Sequence, residues 1–278
     1  MKDSTASITA KICAYTRAPS NDSKAVFNDY LAPALLTLHD HRDIERILKG
    51  RAQGGAGAAF ATVPLTRSAW AEGHLTCFAA GRERVQYVIL GAGLDTFAWR
   101  NRDPRIRVFE VDHPDTQREK RSRITSLSWQ SASAVTFTGV DFNRDSLASR
   151  LLESGFDPRY PSFFTILGVA YYLPFEAFSR TVSEISKIAG AHSRLLFDFQ
   201  IAGYERMRTA RELSDFTAEL GEEMARGYTV SEVEALLFEQ GWSFSEHLTP
   251  SAIDERYFRH SSAAMRAFDS VHFMAASR

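Results

Sequence analysis

Short runs of β-branched and aromatic residues alternate with longer helical segments over most of the chain beyond residue 80. Five such runs lie at residues 85–90, 106–111, 134–138, 162–167 and 194–198. Apolar runs of this kind are typical of strands that are buried on both faces of a parallel sheet. One intervening segment has apolar residues spaced three and four apart, as on one helix face: Phe175, Phe178, Val182, Ile185 and Ile188. The alternation predicts βαβ units, with helices covering both faces of the sheet.

Two further runs, at residues 243–247 and 271–274, flank a helical stretch around residues 252–258. A capping box at Thr229 and Glu232 marks the start of another helix before them. The total of seven strands predicts an α/β fold with a Rossmann-like, mostly parallel sheet. We expect a single domain, in which residues 1–80 form an N-terminal helical cap, 81–200 the core, 201–228 a helical lid and 229–278 the part that completes the sheet.

The first 80 residues show helical but irregular patterns. Ile44, Ile47 and Leu48 form a helical stripe, and Gly50 is placed to end that helix. The glycine-rich residues 50–57 predict a connection and not a phosphate-binding loop, because no lysine followed by serine or threonine comes after the glycines. The helical pattern resumes over residues 66–80.

The composition excludes several classes of partner. The 278 residues include 33 Lys and Arg against 34 Asp and Glu, which gives a formal net charge of −1. Nucleic-acid-binding proteins usually carry a basic excess or a basic stripe, so we expect no nucleic-acid partner. The chain has no apolar leader and no stretch of ~18 apolar residues, which predicts a cytoplasmic protein without a membrane partner. Cys13 and Cys77 lack metal or redox spacing, so we expect no metal site.

A glycine-rich loop, Gly91-Ala-Gly93, follows the first predicted strand at once. Two acids, Glu110 and Asp112, end the second strand about 20 residues further along, where a ribose-binding carboxylate is expected. Ligands bind at the carboxyl ends of the strands of an open parallel sheet, so these groups predict a nucleoside site. A dinucleotide site needs a third glycine, and this chain has Thr96 in its place, which disfavours a nicotinamide-dependent oxidoreductase.

Asp141 and Phe142 end the third predicted strand. The aspartate can accept a hydrogen bond from an adenine amino group, and the ring can pack on the adenine face. The alternative is a structural one: Asp141 is also suited to cap a helix over residues 144–151.

Residues 86–100 (QYVILGAGLDTFAWR) resemble the signature of the leucine carboxyl methyltransferase family, which includes protein phosphatase methyltransferases and bacterial polyketide-type O-methyltransferases. Residues 109–114 with Lys120 resemble its second motif, and residues 168–173 and 254–258 resemble later ones. The resemblance covers nearly the whole chain. It implies an O-methyltransferase that uses S-adenosylmethionine and releases S-adenosylhomocysteine.

The resemblance also implies roles for individual residues. Arg67 matches the arginine that grips the carboxylate of the donor, a role that suits a planar guanidinium. Asp112 matches the ribose ligand, with Glu110 as the second candidate, and Gly91 and Gly93 match the backbone contacts. Asp141 and Phe142 match the adenine contacts. The chain departs from the family at Leu167, where a glutamate is frequent, and at residues 221–223, where Gly-Glu-Glu replaces Gly-Glu-Pro.

No histidine is evidently placed to act as a base, since His113 would point away from the site if the strand alternation continued beyond Asp112. A carboxylate is ionised at neutral pH without a base, whereas a hydroxyl needs one. We therefore expect a small organic acid as acceptor, with a phenol or alcohol as the alternative. A non-catalytic protein that binds S-adenosylmethionine is a further alternative, kept open by Leu167. The candidates for holding the acceptor are Tyr171, Tyr172, Tyr204 and Arg256.

Overall fold

The computed structural model describes residues 7–18, 26–49, 55–130, 135–142, 144–259 and 265–278. Within these residues one sheet contains seven strands: β1 (Val85–Leu90), β2 (Ile106–Asp112), β3 (Val135–Gly139), β4 (Ser162–Ile166), β5 (Arg194–Gln200), β6 (Ser243–Leu248) and β7 (Val271–Ser277). Their order across the sheet is β3-β2-β1-β4-β5-β7-β6. Strands β1 to β5 pair in parallel, and β7 is antiparallel to both β5 and β6. The structure confirms the predicted Rossmann-like, mostly parallel sheet.

Helices cover both faces of this sheet. They are α1 (Ile8–Thr16), α2 (Leu38–Leu48), α3 (Gly55–Ala79), α4 (Phe97–Arg100), α5 (Pro114–Ser126), α6 (Leu147–Glu153), α7 (Phe175–Ile188), α8 (Arg208–Glu219), α9 (Val230–Glu239) and α10 (Pro250–Ile253). Helices α1, α3, α4 and α8 share one apolar core with the first face, and α6, α7 and α9 share a second core with the other face. In the described part of the chain, no helix combines the length and apolarity needed to span a membrane.

Helix α3 differs from the sequence-based expectation. It begins at Gly55, so residues 55–57 lie in a helix and not in the predicted connection. Packing outweighs the low helix propensity of glycine here, because the helix continues into contacts such as Phe60 against Phe216 of α8, whose rings lie 5.8 Å apart. The rest of that connection, residues 50–54, lies outside the described residues, as does Ala134 of the third predicted strand.

The predicted lid is less helical than expected. Helix α8 ends at Glu219, and Gly221 has a φ of +80°, which residues other than glycine rarely adopt. Residues 222–227 then continue without helix. The capping box is confirmed: Thr229 and Glu232 bond reciprocally at the start of α9.

Asp29, which is fully buried, joins the N-terminal helices to the loop that follows β1. Its carboxylate accepts a hydrogen bond from Thr96 Oγ1 at 2.5 Å and lies 3.2 Å from the Nε atoms of both Arg17 and Arg100. Arg17 also donates to the carbonyl of Leu94 at 2.9 Å. Thr96 therefore anchors the cap at the position where a dinucleotide-binding loop would need its third glycine.

Candidate functional site

A cavity of about 750 Å³ opens at the carboxyl ends of the central strands. The sheet order reverses there, between β1 and β4, which is where ligands bind in open α/β sheets. Helices α1 and α3, the loops after β1 to β4 and the segment after α8 form its walls. The wall includes most of the residues singled out from the sequence: Arg67, Gly91, Gly93, Asp112, Asp141, Phe142, Leu167, Tyr171 and Tyr172.

The loop after β1 requires its glycines. Gly91 has a φ of +67°, and a Cβ atom there would lie 2.2 Å from Cγ2 of Val169. Gly93 has a φ of +46°, and its N–H donates to Oδ2 of Asp112 at 2.6 Å. The backbone of this loop therefore lies close to both β2 and the cavity. Only glycine permits this conformation at positions 91 and 93.

Asp112 lies at the end of β2 with its carboxylate in the cavity wall. Its second oxygen, Oδ1, accepts from the N–H of His113 at 2.7 Å. Burial raises the pKa of Asp112, and the N–H groups of Gly93 and His113 oppose that rise. Each carboxylate oxygen can accept more than one hydrogen bond, so both can still bind the hydroxyls of a ribose.

Glu110 was the second candidate for the ribose ligand, and the structure corrects that prediction, because Glu110 does not line the cavity. Its Oε2 lies 2.6 Å from Nζ of Lys120 in α5, and each residue is only 1% exposed. Burial raises the pKa of Glu110 to about 7, against the opposing charge of Lys120. Of the two acids that the sequence left open for the ribose, Asp112 is the one that reaches the cavity.

Arg67 is held in place by Asp198, a residue that the sequence analysis missed. Nη1 of Arg67 lies 3.4 Å from Oδ2 of the fully buried Asp198. The same carboxylate accepts from the N–H of Gly168 at 2.7 Å and from the hydroxyl of Tyr171 at 2.5 Å. The only sequence signal for this role was an aspartate inside the otherwise apolar run at β5.

Gly168 gives Arg67 its space beside Leu167, the residue that replaces the glutamate frequent in the resembled family. The φ of Gly168 is +71°, and a Cβ atom there would lie 2.4 Å from Nη1 of Arg67. Leu167 itself contributes an apolar side chain to the cavity wall.

Asp141 and Phe142 lie in the cavity wall, and the alternative role of Asp141 as a helix cap is wrong. Helix α6 begins later, and its N-cap is Ser146, which accepts from the N–H of Ser149. The N–H of Asp141 donates to Oδ2 of Asp145 at 2.9 Å.

His113 also departs from expectation, because it lines the cavity. Strand β2 ends at Asp112, so the alternation of side chains does not extend to His113, which instead caps α5. Its Nδ1 accepts from the N–H of Asp115 at 3.3 Å. In the neutral ring the proton then lies on Nε2, which makes that atom a donor.

The four acceptor candidates divide into two pairs. Tyr171 and Tyr172 line the cavity, with their rings edge to face at 6.4 Å. Tyr204 and Arg256 do not line it, which corrects both predictions. Tyr204 follows the left-handed Gly203 and turns into the core beside α8, where its hydroxyl donates to the carbonyl of Ala225 at 3.1 Å.

Arg256 lies in the π-helical turn Asp254–Phe258, beyond the edge strand β6. Its Nη2 donates to Oε1 of Glu246 at 2.6 Å, and Oε2 of the same carboxylate accepts from Nε1 of Trp70 at 2.8 Å. The pairing with Glu246 directs this guanidinium away from the cavity.

Glu222, in the segment after α8, is a further wall residue that the sequence analysis did not identify. Its carboxylate accepts from Ser7 Oγ at 2.7 Å and from the hydroxyl of Thr9. The hydroxyl of Tyr172 is hydrogen-bonded to Thr9 as well. These bonds tie the start of α1 to the segment after α8 across one side of the cavity.

Comparison with known proteins identifies the family. The model of the leucine carboxyl methyltransferase family matches residues 8–186, which include the cavity-lining loops after β1 to β4. The chain belongs to this family. It is therefore an S-adenosylmethionine-dependent methyltransferase, as the sequence motifs predicted, and S-adenosylmethionine is its cofactor.

Individual relatives agree in sequence and in fold. A putative S-adenosyl-L-methionine-dependent methyltransferase of Bacillus subtilis, YktD, is 29% identical over 312 aligned positions that cover 99% of each chain. A DUF574 family protein from Streptomyces avermitilis has the same fold, with a TM-score of 0.64, 12% identity and 98% of each chain covered. A putative methyltransferase from Thermobifida fusca has a TM-score of 0.61 and 16% identity, and the alignment covers 100% of this chain and 96% of that one.

Proposed function

We propose that the chain transfers the methyl group of S-adenosylmethionine to a carboxylate oxygen of a small organic acid. The donor would lie along the cavity with its ribose hydroxyls on Asp112 and its adenine against Asp141 and Phe142. Its own carboxylate would pair with Arg67, whose planar guanidinium matches a carboxylate in geometry. Asp198 supports this orientation, because it binds one nitrogen of Arg67 and leaves other N–H groups for the donor.

The acceptor would occupy an apolar part of the cavity beyond the methionine end of the donor. This part is formed by α3, α8 and the segment after α8, with wall residues Phe60, Val63, Leu213 and Met224. Apolar walls with few polar groups are usual for sites that bind small organic molecules. They favour an acid with an apolar body over a small, highly polar one.

The proposal of a carboxylate acceptor rests on one observation: the protonation and hydrogen bonding of the tyrosine hydroxyls and of the histidine ring in the cavity wall. The hydroxyl of Tyr171 donates to Asp198, and burial raises the pKa of both Tyr171 and Tyr172, so both phenols keep their protons. Nδ1 of His113 is used in capping α5. These groups can donate hydrogen bonds to an acceptor, but they are not placed to remove a proton from one.

The chemistry then needs no proton transfer. A lone pair on the carboxylate oxygen attacks the methyl carbon in line with the sulfur, and the C–S bond breaks with its electrons passing to the sulfonium. A methyl ester and neutral-sulfur S-adenosylhomocysteine result. Because the positive sulfur already activates the leaving group, the protein contributes proximity and orientation.

The position of Glu222 supports a second candidate function, the transfer of the methyl group to a hydroxyl acceptor. Its carboxylate lies in the cavity wall and is linked through Thr9 to Tyr172. A carboxylate in this place can act as a general base for a phenol or an alcohol. The hydrogen bonds from Ser7 and Thr9 fix this carboxylate against the start of α1 and do not leave it free to approach an acceptor, so we rank this candidate second.

We expect kcat at saturating donor to stay nearly constant from about pH 6 to 9, because a carboxylic acid with a pKa of ~4 is ionised throughout this range. Release of S-adenosylhomocysteine would be measured with arylalkanoic and straight-chain acids, each beside the phenol or alcohol of the same carbon skeleton. Mass spectrometry should identify methyl esters that mild alkali cleaves. Alkali-resistant ethers would establish the hydroxyl acceptor instead, and a rate that climbs about tenfold per pH unit would show that the hydroxyl loses its proton without the help of Glu222.

A further inference from the structure

The ion pair of Glu110 and Lys120 lies in the core, behind the cavity wall. Nζ of Lys120 is 2.6 Å from Oε2 of Glu110 and 5.3 Å from the centre of the Trp99 ring, and Oε1 of Glu110 has no partner within the described residues. Removing two charges from water is costly, and apolar residues of similar size often replace such a pair without loss of stability. Stability alone therefore does not explain the pair.

The pair lies on the same face of the sheet as Asp112. Glu110 and Asp112 are two residues apart in β2, so their side chains leave the same face of the sheet, and Lys120 approaches that face from α5. Burial raises the pKa of Asp112, and among the charges around it that of Lys120 opposes the rise most, followed by His113. Asp95, from the loop after β1, and Asp112 both add to the negative charge that Glu110 faces.

We propose that Lys120 is a positioning residue for the donor: held by Glu110, its ammonium keeps the carboxylate of Asp112 ionised, so that both oxygens accept the ribose hydroxyls. The inference rests on the proposed role of Asp112 in binding the ribose. Lys120 itself does not line the cavity, so it acts through the charge of Asp112 and not by contact with the donor.

The two members of the pair should have different effects. Without the ammonium of Lys120, Asp112 loses the nearby charge that most opposes the rise of its pKa, and it takes up a proton at a higher pH. Burial raises the pKa of Glu110 to about 7, so below that pH Glu110 already carries a proton, and its replacement by glutamine should leave the ionisation of Asp112 nearly unchanged. A pair that served packing only would weaken donor binding by a similar factor at every pH, whichever member was changed.

The test is the dissociation constant of S-adenosylhomocysteine, measured by calorimetry from about pH 4 to 8.5 for the wild type, Lys120→Met and Glu110→Gln. For Lys120→Met we expect the pH midpoint of binding to rise by about one unit, with affinity near the wild-type value at the alkaline end and about tenfold lower on the acid side of the wild-type midpoint. Glu110→Gln should leave the midpoint nearly unchanged. A pH-independent loss in Lys120→Met, or a shift of both variants in the same direction, would overturn the proposal.

Further variants separate the possible failures. If Lys120→Met does not fold, Lys120→Gln takes its place as the uncharged variant and should show the same upward shift, while Lys120→Arg keeps the charge and should retain the wild-type midpoint. Asp112→Asn tests the underlying assignment: it should bind weakly and without a midpoint in this range. Wild-type affinity in Asp112→Asn would refute the ribose role itself, whereas weak binding there with an unshifted midpoint in the uncharged Lys120 variant would refute only the role of Lys120.

Discussion

Replacing Asp112 by asparagine should raise the dissociation constant of S-adenosylhomocysteine by roughly tenfold to a hundredfold. Hydrogen bonds to a charged group contribute about 1.5–3 kcal/mol, and about 1.4 kcal/mol corresponds to a factor of ten. Both oxygens of Asp112 also hold backbone N–H groups, of Gly93 and His113. An amide can accept only one of these bonds, so the loop after β1 should loosen as well and add to the effect.

The matched control is Asp115→Asn, three residues further along. Asp115 lies in the first turn of α5 and pairs with Arg118 at 2.7 Å, but it does not line the cavity. The control should bind S-adenosylhomocysteine as the wild type does. Calorimetry should also show that Asp112→Asn weakens 5′-methylthioadenosine, which has the ribose but no amino acid part. If Asp112→Asn lost no affinity for either ligand, the ribose contact would have to be assigned elsewhere.

The parts of the molecule that could be predicted from sequence depend on local patterns. The runs that became β1 and β4 are mostly apolar and are bounded by glycine, proline or arginine, so they were placed to within a residue. Gly91 and Asp112 could be placed at the cavity because parallel strands present their carboxyl ends at one edge of the sheet.

The parts that could not be predicted depend on contacts between distant segments. Asp198 meets Arg67 across 131 residues, and Glu222 meets Ser7 across 215. No spacing rule connects such positions, so an aspartate in an apolar strand gave no indication of its partner. His113 was misplaced for a local reason, since side-chain alternation holds only while the strand continues and β2 ends one residue earlier.

The second large effect is expected at Arg67. Arg67→Lys keeps the charge but loses the planar arrangement of donors, so we expect the dissociation constant of S-adenosylhomocysteine to rise by about tenfold or more. The milder substitution is preferred to alanine, because removing the cation would leave Asp198 buried without its charge partner and cost about 3–5 kcal/mol of stability. Lysine retains a charge for Asp198, so the melting temperature should fall only slightly.

Two comparisons show whether Arg67 contacts the carboxylate of the donor or merely supports the fold. Arg100→Lys is the matched control: Arg100 also has a largely buried guanidinium, paired with Glu72 at 2.6 Å, but it lies outside the cavity wall. It should lower the melting temperature without changing donor affinity. The ligand comparison is sharper. Because 5′-methylthioadenosine lacks the amino acid carboxylate, Arg67→Lys should bind it as tightly as the wild type while losing affinity for S-adenosylhomocysteine. Equal losses for both ligands would mean that Arg67 shapes the cavity as a whole and does not recognise the carboxylate.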